Sequence, residues 1–81
     1  MARYFFDHSD GVLTADLEGA ELLDLTAARQ MAFDAFCEMM SGRSATFWKD
    51  DEWEVQCRDE RGLRLFTLTL MANDAPCVRS R

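Results

Sequence analysis

Glu52-Trp53-Glu54-Val55-Gln56-Cys57-Arg58 alternates polar and apolar residues without a break. A period of two puts Trp53, Val55 and Cys57 on one face of a β-strand and the charged and amide side chains on the other. Asp59-Glu60-Arg61-Gly62 then reads as a type I turn closing on a glycine in a left-handed bulge, and Leu63 to Leu70 returns as the partner strand. Phe66, Leu68 and Leu70 share one face of that partner, but Leu63 and Leu65 share the other. Such a pattern needs either a bulge that shifts the register or partial cover on the second face.

Upstream, Arg3-Tyr4-Phe5-Phe6-Asp7 is a short aromatic, strand-favouring run, Ser9-Asp10-Gly11 supplies turn chemistry, and Val12 to Ala15 resumes strand character. These residues form a first hairpin. Asp16 to Leu22, with three acids and Gly19, reads as a loop. Asp24 offers a carboxylate to the open amides of a helix running from Leu25 to about Ser41, with Gly42 as its stop. At 100° per residue, Leu25, Ala28, Ala32, Ala35, Phe36 and Met39 share an apolar face. Met31 and Phe33 widen that stripe on either side and Arg29 falls inside its edge, so a second cover is expected from the Phe47-Trp48 loop, the C-terminal tail or another subunit.

The order ββαββ predicts an α+β fold, a two-layer sandwich in which one helix packs on one face of a four-stranded antiparallel sheet. Strand order 2-1-3-4 keeps every neighbour antiparallel. Residues 1–72 are expected to form the single domain, and 73–81 a flexible basic tail that starts where Asn73-Asp74-Ala75-Pro76 breaks the strand. The open sheet face and the two edges are the natural surfaces for dimerisation or partner binding.

The chain has 81 residues, with 15 Asp and Glu against 9 Lys and Arg. A net charge of −6 argues against nucleic acid or an anionic membrane as partner, since both are approached through a basic face. The charge is uneven. Tyr4 to Gly42 holds eight acids and one base, whereas Arg43 to Arg81 holds seven of each. Cys37, Cys57 and Cys77 form no CxxC pair and have no histidine beside them, which fits neither a disulfide framework nor a zinc site. Reduced thiols are expected. With no charged-then-apolar leader and no long apolar run, a cytoplasmic setting is expected.

The run Arg3-Tyr4-Phe5-Phe6, the Asp10-Gly11 turn, Asp16-x-Glu18-Gly19-x-Glu21-Leu22-x-Asp24-Leu25 leading to Ala27-Ala28-Arg29, and later Trp53-x-Val55 with Asp59-Glu60-x-Gly62, resemble a family of small alphaproteobacterial, rhizobial-type proteins known as a domain of unknown function. The likeness covers about Arg3 to Leu70. It implies a soluble, cytoplasmic bacterial protein and transfers no activity, cofactor or catalytic residue. Relatives often finish with Leu-Pro-Phe where this chain has Leu68-Thr69-Leu70, and a histidine is frequent where Asp7 stands. Both departures argue against a histidine-based site.

No catalytic set is legible: Asp7 and His8 are adjacent on a strand and point to opposite faces, Cys37 has no accompanying base, and no glycine-rich phosphate loop occurs. Asp16, Glu18 and Glu21 are the weak metal candidates, because hard cations want several carboxylate oxygens, but they lack calcium-loop spacing. The preferred role for those carboxylates is structural, with Arg29 pairing to Asp16, Glu18 or Glu21. Met31, Phe33, Phe47 and Trp48 are the interface candidates. A non-enzymatic protein–protein interaction or regulatory module without cofactor, docking a protein partner or a second copy of itself, is the leading expectation. The alternative is a small-ligand or divalent-metal-binding protein using the acidic loop 16–24.

Overall fold

The computed structural model describes residues 1–50 and 52–79. The strands are β1 (Ala2–Ser9), β2 (Leu13–Thr14), β3 (Ala20–Leu22), β4 (Glu52–Arg58) and β5 (Arg64–Met71), and the helices are α1 (Leu25–Met40), α2 (Phe47–Asp50) and α3 (Pro76–Arg79). They build an α+β domain in which α1 packs on one face of an antiparallel sheet ordered β2-β1-β4-β5. That order is the expected one. The sheet also gains a strand, because β3 pairs with β1 through Ala2↔Leu22, Arg3↔Glu21 and Tyr4↔Ala20. The segment read as an acidic loop is therefore partly strand, since the edge of β1 left open by the two-residue β2 offers unpaired amides to whatever chain runs beside it.

Register sets the faces. Phe6, Cys57 and Phe66 align across β1, β4 and β5, as do His8, Val55 and Leu68. This face meets the helix. The ladder slips between Cys57 and Arg58, where Cys57 pairs Phe66 but Arg58 pairs Arg64. Leu65 is the extra residue, so the mixed pattern of the return strand is a β-bulge.

The Asp24 carboxylate caps α1 by accepting the Ala27 N–H at 2.9 Å, and Gly42 follows with φ +77°. Ala28 and Ala32 are fully buried, so the helix axis lies close to the sheet. Phe36, Phe47, Trp53 and Val55 pack with Ala32 as the core, with Phe6, Met39, Met40, Phe66 and Leu68 partly buried around it. Ala35, expected on the apolar face, is exposed. The Phe47-Trp48 segment, expected as a loop, is the short helix α2, and it divides the pair: Phe47 enters the core while Trp48 stays 60% exposed. Residues 73–75 carry no regular structure, and α3 forms one turn beyond them. Arg43 caps the core from outside, its guanidinium 5.2 Å from the Trp53 ring centre.

Candidate interaction surface

Two surfaces concentrate the side chains that sequence patterning singled out. The first is polar and lies on the open face of the sheet. Phe5 stands opposite Arg58 and Asp7 opposite Gln56, which makes Asp7 and Arg58 diagonal neighbours. Arg58 Nε donates to Asp7 Oδ2 at 2.8 Å and its Nη2 to the Asp16 carbonyl at 2.9 Å, while the guanidinium stacks 4.5 Å above the Phe5 ring. Asp7 is only 8% exposed, and its Oδ1 also accepts the Asp16 N–H at 2.8 Å. The carboxylate is thus enclosed by its own neighbours, while Arg58 stays half-buried.

Asp16 extends this network. Its Oδ2 accepts the Phe6 N–H at 3.1 Å, and its Oδ1 accepts the N–H groups of Glu18 and Gly19 at 3.1 Å each. Burial alone would raise the Asp16 pKa, but these backbone donors and the Arg58 charge together hold it below the ordinary value of 3.8. The carboxylate fills the gap between β2 and β3 on the edge of β1, where a strand carbonyl would otherwise sit.

These contacts correct one expectation. Arg29 is exposed and makes no ion pair with the acidic loop; the guanidinium groups that hold the loop are Arg58 and Arg3, the latter donating to the Glu18 carbonyl at 2.8 Å and to Glu21 Oε1 at 3.3 Å. The reason is register, since β3 lies against β1 and brings Glu21 opposite Arg3. Asp16, Glu18 and Glu21 do not converge, and among the described residues no group of three His, Cys, Asp or Glu is placed to hold a metal ion.

The second surface is apolar. Between α1 and β5 runs an open groove of about 470 Å³, walled by Phe33, Phe36, Cys37 and Met40 from the helix and Leu68 and Leu70 from the strand. Phe33 is 59% exposed and Leu70 41%. Of the four interface candidates, only Phe33 lines it. Phe47 is core, and Met31 is exposed on the opposite flank of the helix, about 160° around the axis at 3.6 residues per turn. Cys37, Met40 and Leu70 were not named as interface candidates in the sequence, because only the position of β5 under the helix flank turns them into walls. Cys57 is buried, and that burial, with Asp7 and Asp59 nearby, pushes its thiol up to about 11.

A helix on a five-stranded antiparallel sheet, with a part-buried ion pair on the open face and an apolar groove on the other, is the class of molecule these residues define. The chain belongs to the family described as Domain of unknown function (DUF6894), whose model matches residues 3–72. No curated protein and no solved structure matches the chain. Among the described residues no helix is long and apolar enough to cross a membrane.

Proposed function

We propose that this domain is a non-enzymatic protein–protein interaction module of the bacterial cytoplasm, and that it docks its partner along the α1–β5 groove. The observation that carries this reading is the concentration of exposed apolar side chains beside an open strand edge, on a chain whose net charge is −6. Apolar surface gathered in one groove marks a contact site more than scattered residues do. The polar network opposite favours no reaction, because the oxygens of Asp7 and Asp16 are already engaged by donors from within the fold.

The test is quantitative capture with tagged full-length protein from its native cell, comparing wild type with Phe33→Asp and with Leu63→Asp. Leu63 is 63% exposed and lies outside the groove. Species that dock in the groove should be retained by wild type and Leu63→Asp and lost by Phe33→Asp, with further copies of the chain counted among them. If nothing bound depends on Phe33, the groove is not a docking site.

A further inference from the structure

Resting on that reading, we infer that the occupant of the groove is a second copy of this chain, joined by antiparallel pairing of the two β5 strands about a two-fold axis at Leu68. Among the described residues β5 is paired on one side only, with β4. From Leu65 to Met71 it carries no charge and no proline. Sheet edges are ordinarily guarded by lysines, prolines or very short strands, and the opposite edge of this sheet follows that rule, being divided between β2 and β3, of two and three residues. The long, uncharged edge is the exception.

An antiparallel strand can be its own complement. A two-fold axis perpendicular to the sheet at Leu68 pairs Leu68 with its equivalent, Thr67 with Thr69, and Phe66 with Leu70. Each pair joins residues of the same face, and threonine with threonine and aromatic with aliphatic are favourable cross-strand combinations. The same axis places the two α1 helices side by side on one face of a continuous sheet, so each Phe33 closes the other copy's groove. Charge permits this approach. Asp34 and Glu38 lie near the outer side of the helix wheel, away from the flank that carries Phe33, Cys37 and Met40. Two chains of net charge −6 therefore meet along a strip whose strand, Leu65 to Met71, carries no acid.

Area agrees. The chain exposes 5893 Å², against about 5,000 Å² for a compact monomer of its mass. The exposed Phe33 and Leu70 lie along the strip that the pairing would cover, and the excess is comparable with the ~800 Å² that each partner contributes to a standard interface.

The experiment is sedimentation equilibrium on the full chain over a wide concentration range, with wild type, Thr67→Lys/Thr69→Lys and Phe33→Asp. Wild type should approach twice the 9.3 kDa chain mass. In the double-lysine variant each new lysine faces Gln56 or Glu54 within its own sheet, so the fold is retained, while lysine meets lysine across the axis and the dimer dissociation constant rises at least about tenfold. Phe33→Asp should weaken the dimer comparably. A second measurement needs no edge variant: with Cys77→Ser in place, a short bifunctional maleimide should link Cys37 to Cys37 across the axis. A dimer that survives both sets of substitutions, or that never links through Cys37, overturns the inference. A wild-type monomer whose Phe33-dependent partner is a foreign protein also overturns it, while leaving the interaction-module reading standing. A monomer with no Phe33-dependent partner overturns both.

Discussion

Asp16 is the residue on which most local geometry depends. It satisfies three backbone donors, from Phe6, Glu18 and Gly19, and its removal leaves the Phe6 N–H on the edge of β1 without an acceptor. Asp16→Ala should destabilise the domain by about 1–3 kcal/mol, measured by urea denaturation. Because the folded pKa of Asp16 lies below its unfolded value of 3.8, its contribution is fully present above that value and is lost as pH falls through the folded pKa. Wild type should therefore lose stability on acidification below about pH 4, and Asp16→Asn should flatten part of that slope. Gly19 is constrained twice: it has φ +71°, and an added Cβ would come within 2.9 Å of the Tyr4 carbonyl oxygen. Gly19→Ala is accordingly expected to cost about 1–3 kcal/mol, whereas the same change at Gly11, which meets nothing within 4 Å, costs only its backbone strain. A thiol held near 11 and fully enclosed is a poor nucleophile. Cys57 should react with thiol reagents only on unfolding, at a rate far below that of the exposed Cys37.

At the scale of elements, β4 was legible because one period governed it from end to end: Trp53, Val55 and Cys57 are all buried. Helix α1 was legible for a similar reason, with a capping aspartate at one end and a glycine beyond the other. Asp24→Ala should remove the cap and cost about 1 kcal/mol, read as a lowered Tm with unchanged near-ultraviolet dichroism. The elements that escaped were those whose state depends on a neighbour far away in sequence. Ala20–Leu22 is a strand only because β1 has open amides beside it, and Phe47 turns inward to pack with Ala32, Phe36, Trp53 and Val55, which come from two other elements.

For the molecule as a whole, the shape carries the functional argument. Its extents are 51 × 22 × 19 Å and its radius of gyration 14.8 Å, against about 12 Å for a compact chain of this length. A domain this small and extended gains stability by covering its apolar groove. If a second copy supplies the cover, Tm rises with protein concentration, because association draws on the folded state alone. Phe33→Asp should abolish that dependence while lowering Tm little at high dilution, a comparison accessible to scanning calorimetry at two concentrations.

By itself, the sequence determined the α+β class, the buried face of β4, the helix boundaries and the concentration of acidic charge in the first half of the chain. Each of these follows from short-range periodicity or from composition, both of which are readable within a few turns of chain. Tertiary structure alone decided which arginines hold the acidic loop, where the extra strand forms, which of Met31, Phe33, Phe47 and Trp48 faces solvent, and that Cys37, Met40 and Leu70 share a groove. Those outcomes depend on register between segments dozens of residues apart, and a one-residue slip in any of them would move every side chain to the other face.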